Sequence, residues 1–415
     1  IISKGKAESD MKILQVNKFY YPHRGADKYF LFLEKLLKSH GHEVRVFAMS
    51  SAKNLESPDA PYFAEEIDLH NLTWKNKIKA SRAIIYNQEA KRKFKKLLAD
   101  FQPDLIHCHN IYHQLSPSIL DAARQAKIPV VMHLHDYKLI CPNYRLYTEG
   151  SACQRCCQQR YWECVKHRCL ENNFSKSLLA FIEMTVHHRF LKIYKKGVTL
   201  FIAPSEFMKK ICIDFGWQDD KFIVLENISP INSTKINSEI KEYFLYFGAL
   251  EQEKGIDLLI RAGAESKRPI KLAGTGRAEH ELRNLALKLK ADVEFLGQLQ
   301  GDKLHQVIAE SLAVVIPSRW PENMPLAAIE AMGLGKTVIA ANIGGLSELI
   351  KTGDNGYLFP PEDWQQLAEY LKQLQAPEAL EIGKKAAASR KDKTEDWHYQ
   401  KLITIYQTVI NKKEL

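Results

Sequence analysis

Short apolar runs alternate with helix-like patterns through the first half of the chain. The apolar runs end at polar or proline-containing turns, and they predict strands at 11–16, 43–48, 104–107 and 129–133. Apolar residues three and four positions apart predict helices at 27–39 and 117–126. Because strands and helices that alternate at this pitch are typical of βαβ units, we expect a parallel sheet.

The second half repeats this pattern, with glycine and proline in its turns. Its apolar runs predict a helix at 256–264 and strands at 244–247, 270–273, 293–296, 313–317, 338–341 and 357–359. A polar stretch around Pro230 predicts a linker at 231–241. We therefore expect an α/β fold of two doubly wound, Rossmann-like parallel-sheet domains, 11–230 and 242–391, facing a central cleft. The last segment, 392–415, predicts a helix that packs back onto the first domain.

Length and composition agree with two globular domains. The chain has 415 residues, of which 45% are hydrophobic and 26% are charged. One hydrophobic core rarely extends over so many residues, and this composition excludes a disordered or collagen-like chain. No run of 18 apolar residues predicts a membrane-spanning helix. Residues 1–10 lack periodicity, so we expect them to be a leader or tag remnant before a natural start at Met11.

Basic residues are concentrated in the first half. The chain holds 59 Lys and Arg against 49 Asp and Glu, with 33 against 22 in 11–230 and 24 against 25 in 231–415. Only the first domain should therefore attract anions. Two stretches, 75–96 and 178–196, mix basic with apolar residues. Each could lie on an anionic membrane surface or be an ordinary basic helix packed on its sheet.

Segment 318–333 combines a predicted helix start with two carboxylates. Pro325 suits the first helical position, because its missing N–H costs nothing there. The free N–H groups of Met324, Leu326 and their neighbours would then favour a phosphate. Glu330, inside the helix, could accept two ribose hydroxyls, and Glu322, before it, could reach a sugar. Alternatively, Glu322 only stabilises the helix dipole and Glu330 is a solvated residue.

Five of the eight cysteines lie between positions 153 and 169, in a cysteine-rich insert at 141–169. Their spacing, C-x2-C followed by C-x4-C, is one that four thiolates could use for a structural zinc. The predicted ligands are Cys153, Cys156, Cys164 and Cys169. Free or redox-active thiols are the alternative.

Ordered motifs along the chain resemble one known family. The most specific motif is Glu322-x7-Glu330, which lies within the segment Pro-Glu-Asn-Met-Pro-Leu and the helix that follows it. The other motifs are Tyr20 to Gly25, His107 to Asn110, His135 to Pro142, Pro204 to Phe207, Gly248 to Gly255, Gly274-x-Gly276 and Gly344-Gly345-x-x-Glu348. From Met11 onward, nearly the whole chain resembles the retaining GT-B glycosyltransferases of glycosyltransferase family 4.

The resemblance implies which residues bind a nucleotide-sugar donor. They are Gly25, Gly248, Lys254, Gly274, Gly276, Glu322, Asn323, Met324, Pro325, Leu326 and Glu330. Glu330 would bind the ribose, and Lys254 would neutralise the departing diphosphate. The implied catalytic residues are His135, Lys254 and Glu322, with His135 facing the transferred sugar. A structural histidine at a strand end is the alternative for His135. On the acceptor side the implied residues are His109, Asp136, Tyr137 and Arg145.

Three positions depart from the family pattern. Ala26 stands where a second glycine is common, and Asp27 stands where Glu is usual. Ala249 stands where many members have a phosphate-binding Arg, so one charged contact to the diphosphate is missing. The side chains that could replace it are Arg24, Arg277 and Arg319.

The resemblance implies transfer of a sugar, with retention, from a UDP- or GDP-sugar to a hydroxyl of a saccharide or lipid-linked acceptor in envelope polysaccharide or glycolipid synthesis. Because the chain has no Asp-x-Asp, we expect no catalytic metal. We expect no nucleic-acid partner and a cytoplasmic location, or a peripheral one on the inner face of the cytoplasmic membrane. The alternatives are a GT-B sugar epimerase, a zinc-stapled nucleic-acid binder, and a donor-site pseudoenzyme in which Ala249 has replaced a needed charge.

Overall fold

The computed structural model describes residues 10–67, 74–229 and 239–411, with the side chains of 74–77 left out. Most of the predicted leader, 1–10, and most of the predicted linker, 231–241, lie outside these ranges. Within them the chain forms two domains, each built on one large sheet.

The first domain is built on a sheet of six parallel strands. Their order across the sheet is β2-β1-β3-β4-β7-β8, with Leu14 of β1 opposite Ile106 of β3. A two-stranded ribbon, β5 and β6, lies in the cysteine-rich insert. The strands are β1 (Lys12–Val16), β2 (Glu43–Phe47), β3 (Leu105–Cys108), β4 (Val130–His133), β5 (Tyr147–Thr148), β6 (Ser151–Ala152), β7 (Leu200–Ala203) and β8 (Phe222–Val224).

Helices connect these strands and cover both faces of the sheet. The helices are α1 (Gly25–Ser39), α2 (Trp74–Ile85), α3 (Gln88–Phe101), α4 (Ser118–Gln125), α5 (Glu163–Lys166), α6 (Phe174–Thr185), α7 (Ile193–Gly197) and α8 (Glu206–Asp214). Strands β3 and β4 are buried along their whole length, as expected of a parallel sheet with both faces covered.

The second domain has a sheet of six parallel strands in the order β11-β10-β9-β12-β13-β14. The strand order reverses between β9 and β12, and ligands of such sheets bind at the carboxyl ends there. The strands are β9 (Phe244–Phe247), β10 (Ile270–Ala273), β11 (Val293–Gly297), β12 (Ala313–Ile316), β13 (Thr337–Ala341) and β14 (Gly356–Phe359). The helices are α9 (Ile256–Ser266), α10 (Glu279–Leu289), α11 (Gly301–Glu310), α12 (Leu326–Gly333), α13 (Leu346–Leu349), α14 (Trp364–Gln373) and α15 (Ala376–Arg390). The prediction of two doubly wound domains is confirmed.

The last helix, α16 (Glu395–Asn411), lies on the first domain although it follows the second in sequence. Its buried Leu402 and Tyr406 share an apolar cluster with Ile13 of β1. Tyr406 also makes a buried hydrogen bond of 2.6 Å between its Oη and Nδ1 of His107. This crossing ties the last described helix to the sheet that contains β1 and β3.

Neither basic stretch singled out in the sequence is one continuous helix. Residues 75–96 divide between α2 and α3, because Asn87 accepts the backbone N–H of Ala90 and caps the second helix. Residues 178–196 divide into α6, a π-helical turn at Val186–Phe190, and α7. Among the described helices, none has both the length and the hydropathy needed to cross a bilayer.

Candidate active site

The two sheets direct their carboxyl ends toward one another, and several hydrogen bonds join the domains there, four of which involve Tyr137, Asn323 and Glu348. Tyr137 Oη donates to the Pro321 carbonyl at 2.9 Å, and Asn323 Nδ2 donates to the Leu134 carbonyl at 3.0 Å. Glu348 accepts the backbone N–H groups of Glu206, at 2.9 Å, and Phe207 at the start of α8. The predicted site residues lie around this contact.

A charge pair links two loops of the second domain. Lys254, in the loop after β9, donates from Nζ to Oε1 of Glu322, in the loop after β12, at 2.7 Å. Ser318 Oγ donates to the same oxygen at 2.7 Å. The Lys254 ammonium lies 4.7 Å from the centre of the Trp320 ring, a cation–π distance. The pair therefore holds a cation and a carboxylate side by side at the cleft.

The helix that follows Glu322 begins one residue later than predicted. Pro325 has φ −70° and ψ 123°, so it is the extended residue before the helix and Leu326 is the first helical residue. The prediction for Pro325 is wrong by one position, because its carbonyl accepts the first helical bonds, from Ala328 and Ile329. The N–H groups of Leu326 and Ala327 precede those bonds and are donors at the positive helix end.

The start of α12 faces the start of α1 across the cleft. A Cβ added to Gly25 would lie 3.5 Å from Leu326 Cδ1, so the backbone of the first domain comes close to the donors of α12. Glu330, one turn further along α12, is half-buried, and Ser229 Oγ lies 3.4 Å from its Oε1. Burial raises the pKa of Glu330, and the positive charge of Lys28 in α1 opposes that shift.

Two close backbone approaches shape the loops behind this site. A Cβ on Gly274 would lie 1.8 Å from the Gly248 carbonyl oxygen, and one on Gly276 would lie 2.2 Å from that of Leu250. No side chain fits there, so these glycines let the loop after β10 pack on the loop that leads to Lys254.

Histidines at the ends of β3 and β4 form a stacked group beneath the cleft. His135 Nε2 and His109 Nδ1 are 2.9 Å apart, and the rings of His133 and His135 stack at 4.7 Å. Burial lowers the pKa of His135 to about 3, so its imidazole is neutral at neutral pH. His107, His109 and His133 are buried and have pKa values lowered for the same reason.

The structure is unfavourable for two residues implied on the acceptor side. Tyr137 is buried and its hydroxyl is engaged by Pro321, and His109 is completely buried. Both therefore lie out of reach of an acceptor. Asp136 is half-buried with a pKa raised by burial, and Arg145 is half-buried and pairs with Glu253 of the second domain at 3.1 Å. These two side chains lie at the cleft.

The departures at Ala26 and Asp27 have structural explanations. Helix α1 already begins at Gly25, and Ala26 does not have a positive φ, so no second glycine is required. The Asp27 carboxylate is buried, and it accepts Asn17 Nδ2 at 2.8 Å and the Arg24 backbone N–H at 3.0 Å. It thereby ties the start of α1 to the end of β1.

Ala249 has no evident replacement among the three arginines considered. Arg319 is bound by two carboxylates, with Nη2 2.9 Å from Asp257 Oδ2 and Nε 2.7 Å from Glu362 Oε1. Arg277 is 76% exposed, and Arg24 is exposed at the start of α1. Arg319 lies beside the loop of Lys254, with its backbone N–H bonded to the Glu253 carbonyl, but its guanidinium is already occupied by these carboxylates.

The cysteines of the insert are free, with no disulfide between them. Cys156 and Cys164 are buried in the apolar core of the first domain, Cys169 packs against it, and Cys153 is half-buried. In the described ranges of the chain, no three His, Cys, Asp or Glu side chains are arranged to hold a metal ion. The four-thiolate zinc site has no support from this arrangement and stays a prediction.

Glu348 is the residue whose function in the structure the sequence did not reveal. It belongs to a recognised motif, but its carboxylate caps a helix in the other domain, at the residue after Ser205. The sequence contains only part of the information needed to predict this cap. Ser205 and Glu206 predict a helix start, but nothing near them in sequence indicates that a carboxylate 142 residues away would cap it.

Two family models match the chain, one for each domain. The model described as Glycosyltransferase Family 4 matches residues 23–228, and the model described as Glycosyl transferases group 1 matches residues 230–391. Together the matches leave out a single residue between 23 and 391.

Relatives and solved structures agree with these matches. An uncharacterized 42.6 kDa protein in the cps region of Klebsiella pneumoniae is 25% identical over 86% of this chain and 91% of its own length. An uncharacterized glycosyltransferase of Methanocaldococcus jannaschii is 27% identical over 62% of this chain and 70% of its own length.

Two solved structures share the fold at low sequence identity. Anabaena HepE in complex with UDP and glucose has a TM-score of 0.67 at 19% identity, covering 96% of this chain and all of its own. Sucrose-phosphate synthase from Thermosynechococcus elongatus has a TM-score of 0.68 at 17% identity, covering 97% of this chain and 100% of its own. The chain is therefore a glycosyltransferase of the group 1 type with the GT-B fold, in which a domain matching the family 4 model precedes a domain matching the group 1 model.

Proposed function

We propose that the protein transfers a sugar, with retained anomeric configuration, from a nucleotide-sugar to a hydroxyl of a saccharide or lipid-linked acceptor. The observation that carries this proposal is the convergence of Lys254, Glu322 and the start of α12 at the contact between the domains. A cation and N–H donors at a helix start suit a phosphate or diphosphate group.

The proposed division of labour follows from these positions. The bond between the anomeric carbon and the diphosphate oxygen breaks, the acceptor hydroxyl oxygen bonds to that carbon, and the hydroxyl proton is released. Negative charge grows on the leaving diphosphate, where Lys254 and the N–H groups of Leu326 and Ala327 would stabilise it. Glu330 would accept the ribose hydroxyls, with Ser229 already beside it. Glu322 would hold the donor sugar and position Lys254.

His135 is proposed to face the transferred sugar as a neutral ring. Its Nε2 is engaged with His109 at 2.9 Å, and this contact fixes the ring. A neutral imidazole can offer a hydrogen bond to a sugar hydroxyl without adding charge near the anomeric carbon.

The donor is proposed to be a UDP- or GDP-sugar. HepE, which shares the fold, is described in complex with UDP and glucose, and this favours UDP as the first nucleotide to try. No catalytic metal is proposed, because Lys254 and the helix end would neutralise the diphosphate. Activity that survives EDTA would support this, and activity that requires added Mg²⁺ or Mn²⁺ would contradict it.

The acceptor is proposed to belong to envelope polysaccharide or glycolipid synthesis. A relative in the cps region of Klebsiella pneumoniae supports the polysaccharide pathway. A lipid-linked acceptor would be presented on an anionic membrane surface, at the inner face of the cytoplasmic membrane. Asp136 and Arg145, at the cleft, are the side chains proposed to contact the acceptor.

The reaction can be tested with UDP-glucose, UDP-galactose and GDP-mannose, each with and without a panel of saccharide acceptors. We expect nucleoside diphosphate release that depends on the acceptor, and a product whose NMR spectrum shows the anomeric configuration of the donor. An inverted product would contradict retention. Recovery of an epimerised sugar without transfer would instead support the epimerase alternative, which the family matches do not favour.

A further inference from the structure

A polar cavity lies in the first domain, lined by the π-helical turn, α7 and the segment after α8. Its volume is about 90 Å³, roughly three times the space that a water molecule occupies in the liquid. The residues that matter for its chemistry are Tyr161, His188, Lys192, Lys195, Trp217 and Lys221. None of its described lining residues is acidic, so the cavity is suited to an anion.

His188 is held rigidly in this cavity with a ring nitrogen unused. Its ring stacks on Tyr194 at 5.2 Å and meets Trp217 edge-on at 5.9 Å. Its Nε2 is buried and has no hydrogen-bond partner in the part of the chain that the structure describes. A buried unpaired polar atom is costly, and a bound polar group would remove that cost. Burial lowers the pKa of His188 to about 3, so the ring is neutral at neutral pH.

The basic side chains here are largely free of acidic partners. Lys192, Lys195 and the neighbouring Arg189 are exposed. Of the acidic residues nearby, Glu183 is buried and pairs with Lys138 at 2.8 Å, and Asp219 pairs with Lys209 at 2.9 Å. Asp220 is exposed next to Lys221, but the basic residues Arg189, Lys192, Lys195 and Lys221 outnumber it. The surface around the cavity therefore has a net positive charge.

Apolar side chains are exposed beside these charges. Phe190, on the π-helical turn, is 75% exposed, and Leu191 next to it is exposed as well. Phe174, Leu178 and Ile182 are exposed at intervals of four along α6, so they form one stripe on its outer face. Exposed aromatic and aliphatic residues among lysines are typical of surfaces that enter the headgroup region of a bilayer.

Together, Phe174, Leu178, Ile182 and residues 189–195 form a surface called here the α6–α7 face. We propose that this face docks on an anionic membrane, with a lipid phosphate headgroup in the cavity at His188. We choose an anionic membrane as the partner because of charge complementarity. The lysines that line the cavity would attract the lipid phosphate, and the apolar side chains beside it would enter the bilayer. The inference deepens the proposed function, since it names the surface that would bring the cleft to a lipid-linked acceptor.

Sedimentation with vesicles tests the proposal on the full chain. We expect the wild type to bind vesicles of phosphatidylglycerol and phosphatidylcholine, to bind pure phosphatidylcholine weakly, and to lose binding in high salt. Phe190→Ser should weaken partitioning about tenfold, because one large apolar side chain no longer enters the bilayer. Lys192→Glu with Lys195→Glu should weaken it by more than about tenfold.

The second domain offers matched controls. Leu287 is 78% exposed, so Leu287→Ser removes an equally exposed apolar side chain away from the α6–α7 face. Lys288→Glu with Lys290→Glu makes the same change of net charge on α10, and Lys290 shares the left-handed backbone of Lys192. We expect both control variants to bind vesicles as the wild type does.

Three outcomes would overturn the proposal: no binding to anionic vesicles, equal losses in the control variants, or calorimetric binding of inorganic phosphate that depends on Lys192 and Lys195 without vesicle binding. The last would make the cavity a site for free anions. The docking result does not depend on transfer activity, because UDP binding is measured separately and should be unchanged in Phe190→Ser. Failure of the donor site and failure of membrane docking are thus distinguishable.

Discussion

At the residue scale, the Lys254–Glu322 pair is the centre of the proposed chemistry. The Glu322 side chain is 7% exposed and that of Lys254 is 23% exposed, so each lowers the cost of burying the other. Ser318 completes the pairing from the same side. A donor diphosphate would compete with Glu322 for the ammonium group, so the pair keeps Lys254 in place before the donor arrives.

Replacing Lys254 tests this role directly. We expect Lys254→Ala to lower kcat about 100- to 1000-fold, because one preorganised charge no longer stabilises the leaving diphosphate. Lys241→Ala is the control, since Lys241 pairs with a glutamate, Glu310, at 2.6 Å outside the cleft. The measurement is acceptor-dependent nucleotide release. If both variants keep wild-type kcat, Lys254 has no part in catalysis.

The sequence predicted which residues lie at the cleft better than it predicted their exposure. Glu322, Lys254 and Glu330 lie at the cleft as their motifs indicate. Tyr137 and His109 follow equally specific motifs but are buried. Burial depends on what the other domain and distant strands contribute, and no local pattern contains that information.

At the element scale, the ends of β3 and β4 bury histidines where parallel sheets usually bury aliphatic residues. Burial lowers the pKa of His107 to about 3 and that of His398, in α16, to about 4. His109 and His133 have pKa values lowered well below the ordinary 6.5. Between those folded-state values and 6.5, the unfolded chain binds more protons than the folded chain.

Stability should therefore be complete above about pH 6.5 and fall as the pH drops toward 4. Each buried histidine contributes at most about 1.4 kcal/mol per pH unit in this window. We expect the free energy of unfolding in urea to fall between pH 7 and pH 5, with a smaller slope in His107→Gln. A stability that is flat over this range would show that these rings are not buried in neutral form.

The predicted strands and helices agree with the structure to within one or two residues at most ends, because buried parallel strands and amphipathic helices have clear periods. Strands β7 and β8 were not predicted. The π-helical turn that ends α6 was also missed. Its sequence, Val-His-His-Arg-Phe, continues the helical pattern, and only packing of His187 and His188 inward reveals the change of winding.

At the scale of the whole molecule, the contact between domains decides whether the site is assembled. Gly25, His135 and Lys28 come from the first domain, whereas Lys254, Glu322 and Glu330 come from the second. The hydrogen bonds that Tyr137 and Asn323 donate, and those that Glu348 accepts, hold these two groups together. Glu348 is the most informative of the three, because its exposed carboxylate can be changed without leaving a cavity.

We expect Glu348→Gln to open the cleft, since the carboxylate accepts the two N–H groups at the start of α8 on separate oxygens, whereas the neutral amide has only one oxygen that can accept. The loss is about 1 kcal/mol, enough to shift the balance between closed and open forms severalfold. Small-angle X-ray scattering should report a larger radius of gyration.

The control is Glu362→Gln, which changes a carboxylate whose partner, Arg319, lies in the same domain. Its scattering should match the wild type. Identical scattering from all three proteins would mean that Glu348 does not hold the domains together.

The central claim is that Glu330 and the start of α12 form a nucleotide site, and calorimetric titration of UDP, GDP, ADP and CMP tests it most directly. The titrations compare the wild type, Glu330→Ala and the control Glu310→Ala, which removes a helical glutamate far from the cleft. We expect the wild type and control to bind one nucleotide selectively, and Glu330→Ala to bind it about 100-fold more weakly, because two hydrogen bonds to a carboxylate are lost. Equal affinity in Glu330→Ala, or no binding of any nucleotide by the wild type, would contradict the proposed donor site.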